Sequence, residues 1–144
     1  MSSVSHDDGT TSASVWTNIA VTSDESIDTT HISNNTSSSS RTGTIQVSSD
    51  NYNTSVRMSS VPYNSNFNWT FSVTSSSNLS YSTTYKVRII YAAKDTSGNI
   101  LGSQYQASFT TKSWTKQLGI TGSDNAHEVT TYSSGNVYVT GSTS

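Results

Sequence analysis

Residues 79–111 read LSYSTTYKVRIIYAAKDTSGNILGSQYQASFTT, and the fold turns on this stretch. Tyr85, Val87, Ile89 and Tyr91 alternate with Lys86, Arg88 and Ile90; further on, Tyr105, Ala107 and Phe109 alternate with Gln106 and Ser108. A period of two puts successive side chains on opposite faces, so each segment predicts a half-buried β-strand. Between them lies DTSGN, Asp95 to Asn99. Gly98 and Asn99 suit a reversal that needs positive φ, and Asp95 can accept backbone N–H bonds across the bend. Two strands joined by such a turn predict an antiparallel pair.

The same period recurs upstream, in Val15, Thr17, Ile19 and Val21, in Ile45 and Val47, in Val56 and Met58, and in Trp69, Phe71 and Val73. Short strands rich in β-branched and aromatic residues, separated by turn signals, predict an all-β sandwich. SSDNYN (48–53) and PYNSN (62–66) read as hairpin connections, and NNTSSSS (34–40) as a surface loop without apolar content. The one helical candidate is a single turn within Asp24 to Ile32, where Ile27 and His31 stand four apart behind acidic residues.

Composition fits this economy. Only 31% of the 144 residues are apolar and 11% charged, against about 45–50% and about 25% in ordinary domains. Serine and threonine make up the difference, at about two residues in five. The apolar residues are patterned, so the chain is read as folded rather than disordered. A net charge of −2, with seven basic residues spread from Arg41 to Lys116, argues against nucleic acid and anionic membrane as partners. The longest apolar run, Val87 to Ala93, is broken by Arg88 and is far too short to span a bilayer. No h-region follows Met1, which leaves an internal piece given a start codon or a chain whose secretion signal has been removed. Without cysteine there is neither a disulfide framework nor a thiolate metal site.

After Lys112 the character changes. Residues 114–144 hold four of the eight glycines, and the alternation shortens into three candidate strands. Trp114, Lys116, Leu118 and Ile120 share one face of the first, Val129 and Thr131 lie on the second, and Val137 and Val139 on the third, with Ser134-Gly135-Asn136 as a tight turn.

Two resemblances rest on these residues. Over residues 4–111, the ordered set Leu79, Tyr85, Asp95, Gly98, Asn99, Phe109 and Thr111 resembles the closing half of a bacterial immunoglobulin-like domain. His6 stands where such domains have proline, and Ser23 where they have phenylalanine. Over 114–143, the pattern Trp, Lys-Gln-Leu-Gly, Asp, Val, Ser-Ser-Gly-Asn-Val-Tyr-Val-Thr-Gly is similar to the repeat unit of bacterial seven-bladed β-propellers, with Glu128 and Tyr132 departing from it. Both resemblances imply modules in tandem on large secreted or surface proteins. A propeller needs about four blades to remove its sheet edges, and repeat units do not bury their faces alone. The last segment is therefore expected to continue into a longer array, to pack on its own sandwich, or to pair with a neighbouring chain.

Candidate sites are few. His6, His31 and His127 lack metal-ligand spacing and read as loop residues. Asp7, Asp8, Asp24, Glu25 and Asp95 offer oxygen ligands to calcium, although turn chemistry already accounts for Asp95. No Gly-x-Ser-x-Gly elbow or cysteine nucleophile points to an enzyme. Lys86 and Lys94 could enter a lysine–asparagine crosslink only if buried beside an acid, and Lys86 falls on the polar face of its strand. Among the aromatics Trp16, Tyr52, Tyr63, Phe67 and Trp69, Trp69 shares a face with Phe71 and reads as core, while Tyr63 and Phe67 sit in a polar loop and form a candidate recognition surface.

The expectation is a bacterial Ig-like sandwich over residues 3–112 and a partial propeller-like repeat over 113–144 that pairs in cis or in trans. Its role would be that of a non-catalytic, cofactor-free module of an extracellular or cell-surface protein. It would serve as a spacer or self-assembling subunit through a strand-pairing tail of Trp114, Leu118, Val129, Val137, Tyr138 and Val139, with other copies or neighbouring modules as partners. The alternative is recognition of glycans or host proteins through Tyr63 and Phe67.

Overall fold

The computed structural model describes residues 3–4, 8–37, 41–90, 92–100, 104–114, 124–131 and 137–143, in two compact units, Met1–Ser113 and Trp114–Ser144. The first unit holds two four-stranded sheets. One is ordered β1 (Ser3–Val4), β3 (Asn18–Thr22), β6 (Thr70–Thr74), β5 (Tyr63–Ser65), all antiparallel. The other is ordered β2 (Thr10–Ala13), β8 (Tyr105–Thr111), β7 (Thr84–Ile89), β4 (Ile45–Ser48), with only the β2–β8 pair parallel. The N-terminal segment thus serves both sheets. Asp8 anchors it on the second, where its Oδ1 accepts from the Ser108 N–H at 2.7 Å and hydroxyl at 2.8 Å, while the Gly9 N–H donates to the Ser108 carbonyl.

Register explains the core. Ile19 faces Val73 and Val21 faces Phe71 in the first sheet; Tyr85 faces Phe109, Val87 lies between Ala107 and Val47, and Ile45 faces Ile89 in the second. Every one of these side chains is buried, because a shared period of two turns whole rows inward together. The rings of Tyr85 and Phe109 stack with centroids 5.8 Å apart. At the base of β7 the Tyr85 hydroxyl reaches back and accepts the Ser80 N–H at 3.0 Å, fixing the turn that Leu79 fills from inside.

Several expectations are corrected. Val56 and Met58 belong to no strand: Met58 is buried, but the segment is held by an isolated bridge to Ser75 and by single bonds, from the Val56 N–H to the Val47 carbonyl, from the Met58 N–H to the Asn35 carbonyl and from the Ser59 N–H to the Thr74 carbonyl. Asn35, in the run read as a surface loop, is itself buried. Tyr63–Ser65 is strand, so the hairpin reversal falls on Asn66–Trp69. Trp69 is 39% exposed and not core, because it closes that loop rather than opening β6. Ser23, in the place of an aromatic, is buried; its N–H donates to the Trp69 carbonyl at 2.8 Å and its hydroxyl accepts from the Glu25 N–H. The helical turn is a 3₁₀ turn, Thr29–His31, capped by the Asp28 carboxylate.

The second unit pairs β9 (Asp124–Thr131) with β10 (Val137–Thr143) as an antiparallel ribbon with an irregularity between Thr140 and Gly141. Leu118 and the turn Ser134–Asn136 lie outside the described residues.

Candidate functional site

Loops at the two ends of the sandwich carry most of its exposed aromatics. At one end, here the head, the described residues of three connections begin and end: β3 to β4 (23–37 and 41–44), β5 to β6 (66–69) and β7 to β8 (90, 92–100 and 104). The short loop holds Asn66, Phe67 and Asn68 in succession at φ 53°, 53° and 68°, a left-handed conformation costing non-glycine residues on the order of 1 kcal/mol each. Its backbone is nevertheless closed. The Asn66 carbonyl accepts from Trp69 N–H, that of Phe67 from the Ser26 hydroxyl, that of Asn68 from Ile27 N–H and that of Trp69 from Ser23 N–H. All four carbonyls being satisfied, the loop is a fixed mount from which the Phe67 ring projects 91% exposed. Tyr63, 72% exposed, stands opposite Ser72 on the outer face of the same sheet.

The neighbouring loop is fixed by Asp95. Its Oδ1 accepts from the Ser97 and Asn99 N–H groups, both at 2.8 Å, and its Oδ2 from the Asn99 side-chain amide at 2.7 Å, which holds the carboxyl below the usual carboxylate range, the Asn99 amide being the largest cause. Gly98 supplies the positive φ of 88°. The Asp95 carboxylate is consumed by its own turn, and among the described residues no three acidic or histidine side chains converge to hold a metal ion. His6 and Asp7 lie outside the described residues; His31 Nδ1 lies 2.9 Å from Asp28 Oδ2, and His127 Nε2 lies 3.3 Å from Ser142 Oγ.

The opposite end, the foot, joins the turn 14–17 to the connection 75–83 and to the end of β8. The Leu79 N–H donates to the Val15 carbonyl, Ser82 N–H to that of Lys112, and Lys112 N–H to that of Ala13. Trp16 projects from this end 75% exposed, and Tyr81 in the 75–83 connection is also exposed. Trp16 stands opposite Val15, Ile19 and Val21 in the sequence alternation and is exposed as that face implies, although it sits in the turn before β3 rather than in a strand.

On the outer face of the second sheet, Tyr52 is buried. Arg88 lies 3.9 Å from the Tyr52 ring centroid and donates through Nε and Nη2 to Gln46 Oε1 at 2.9 and 2.7 Å. Lys86 Nζ donates to Asn51 Oδ1 at 2.9 Å in an exposed pair, not the buried pair a crosslink requires. Of the tail residues, Trp114 is exposed, and Val129 and Val139, 65% and 37% exposed, face each other across the ribbon. Val137 and Tyr138 belong to β10, but their side chains are outside the described residues.

With β1 and β2 as two halves of the first strand, the sheets are ordered A-B-E-D and A-G-F-C, and Tyr85 forms the corner at the start of F: this is an immunoglobulin-type sandwich of constant-domain order. The chain belongs to the bacterial Ig-like domain family, whose model matches residues 1–111, and residues 113–144 match that of a beta-propeller repeat. Among solved structures it is similar to the crystal structure of the S-layer protein rSbsC, at 19% identity and a TM-score of 0.51 over 92% of this chain and 18% of that one. The structure of domains 1–6 of the surface layer protein SbsC matches at the same identity and score over 94% of this chain. The chain spans 18% of the length of each. A comparison with curated proteins gives no match.

Proposed function

We propose that the chain is a non-catalytic structural module of a bacterial cell-surface or secreted protein, a self-assembling subunit or spacer whose second unit pairs with strands of another copy or of a neighbouring module. The observation that carries this reading is the β9–β10 ribbon. Its described strands pair only with each other, so each has an outer edge without a described partner, and the Val129–Val139 pair stands exposed between them. A two-stranded ribbon is marginal in water, and apolar residues on such a ribbon gain most when another strand or sheet covers them. The two solved structures of similar fold are those of an S-layer, or surface layer, protein, which supports the setting.

Light scattering over a concentration series tests the reading. The full chain is expected to gain mass with concentration, and the double variant Val129→Lys/Val139→Lys to gain less at every concentration. A wild-type chain that stays monomeric throughout overturns self-assembly.

A further inference from the structure

We propose that the edge strand β5 is the docking site for the ribbon, with β10 of one chain adding beside β5 of the next. This rests on the reading of the chain as a self-assembling module and names the strand that receives the second unit.

The four sheet edges of the sandwich are not equally open. The outer side of β4 is covered: the Ile45 N–H donates to the Ser33 carbonyl, and the Val47 carbonyl accepts from the Val56 N–H. In β2 the ladder is interrupted between Thr10 and Ala13, where Ser12 turns to a φ of 67°. The strand β1 is only two residues long. β5 differs from all three. Tyr63, Asn64 and Ser65 pair with Ser72, Phe71 and Thr70 of β6, and among the described residues no other backbone bond reaches them. An antiparallel edge turns every second N–H and C=O outward, which is the template an added strand needs. Pro62, just before the strand, has no N–H to donate and limits the docking length to these three residues.

Charged side chains commonly guard such an edge against stray strands. Here no acidic, basic or histidine side chain occurs between Arg57 and Lys86, a stretch that contains β5, β6 and the loop joining them. The same holds for the last strand of the ribbon. Nothing after Glu128 is acidic, basic or histidine, whereas β9 carries Asp124, His127 and Glu128. β10 is therefore the side of the ribbon that meets an edge without desolvating a charge, and it pairs with no described strand but β9.

The exposed side chains agree. Tyr63, 72% exposed, has Ser72 beside it on β6 and no described strand on its other side. Val139 of β10 is exposed opposite Val129. A register that sets Val139 opposite Tyr63 makes an aromatic–β-branched cross-strand pair and covers both. One sheet then runs through two chains, β1-β3-β6-β5 of the first followed by β10-β9 of the second. Each chain has one edge to give and one to receive, so the contact is heterologous and propagates.

Hydrogen exchange of the full chain at low and high concentration, read by mass spectrometry beside light scattering, tests the assignment. As the mass grows, the amides of residues 63–65 are expected to exchange about tenfold or more slowly, and those of β4 to stay unchanged. Tyr63→Lys guards the receiving edge and Val129→Lys/Val139→Lys disables the ribbon, with circular dichroism confirming the fold of each. Alone, each variant is expected to associate about tenfold or more weakly than the wild type. Mixed, they are expected to form a species of two chains, because one keeps an intact ribbon and the other an open β5. A chain that gains mass while residues 63–65 exchange unchanged, or while Tyr63→Lys associates as the wild type does, overturns the docking site and leaves ribbon assembly standing. Association lost in Tyr63→Lys but kept in Val129→Lys/Val139→Lys means that β5 pairs with β5 of another copy, which also overturns it. A wild-type chain that stays monomeric overturns both readings, and protection of residues 63–65 in that monomer means that the ribbon pairs with its own β5.

Discussion

The sandwich and the ribbon use the same alternating pattern and reach opposite ends. In the sandwich, Ile19, Val73, Val87 and Phe109 turn inward from two facing sheets and are buried. In the ribbon, Val129 and Val139 meet across one pair of strands and remain exposed. The local signal is the same, yet burial requires a second apolar layer, which the first unit supplies to itself. A strand pattern therefore predicts a strand, while a core needs a partner face.

The sharpest way to break this contrast is a matched pair of truncations. Phe109→Ala removes a buried ring stacked on Tyr85 and is expected to cost about 3–5 kcal/mol, enough to unfold a marginal domain. Val129→Ala is expected to change stability by less than about 0.5 kcal/mol, with its effect confined to association. Chemical denaturation of both variants measures the difference; equal losses would mean that the ribbon valine is covered within its own chain.

Two glycines refine the comparison inside the sandwich. Gly43 and Gly98 both hold positive φ, 93° and 88°. A Cβ at Gly43 would lie 2.6 Å from the Asn34 Cα, whereas one at Gly98 meets nothing within 4 Å. Gly98→Ala is expected to cost about 1 kcal/mol of backbone strain. Gly43→Ala carries that strain plus displacement of a backbone segment, a further loss of about 1–3 kcal/mol. Thermal denaturation ranks them, and equal losses would show that the Asn34 segment yields without resistance.

What was legible in the sequence follows the same physics. The rows in β3, β6, β7 and β8 were readable because one sheet face is buried and the period is two. The Asp95 turn was readable because Gly98 announces its φ. The head loop gave no such signal, since Asn66, Phe67 and Asn68 adopt left-handed backbone without glycine, held there by bonds from Ser23, Ser26 and Ile27 that are distant in sequence. Trp69 was misread for the same reason, and Met58 because an extended segment can be buried without joining a ladder. Trp16 fell on the outward side of the alternation and is exposed, although the strand itself begins only at Asn18.

The smallest expected effect lies at the sandwich's own exception. The Tyr52 hydroxyl is buried without a partner, and burial pushes its pKa to about 12, with Arg88 partly opposing the rise. Arg88 spends Nε and Nη2 on Gln46 and lies over the ring rather than reaching the hydroxyl. Tyr52→Phe keeps the ring under the guanidinium and deletes a buried polar group that gains nothing from its surroundings. Stability is therefore expected to rise by up to about 1 kcal/mol, read as a higher midpoint in urea at unchanged slope. A loss of that size would instead mean that the hydroxyl is bonded in solution, and that the outer face of the second sheet admits water. The sandwich would then share, at one atom, the need for an outside partner that defines the ribbon.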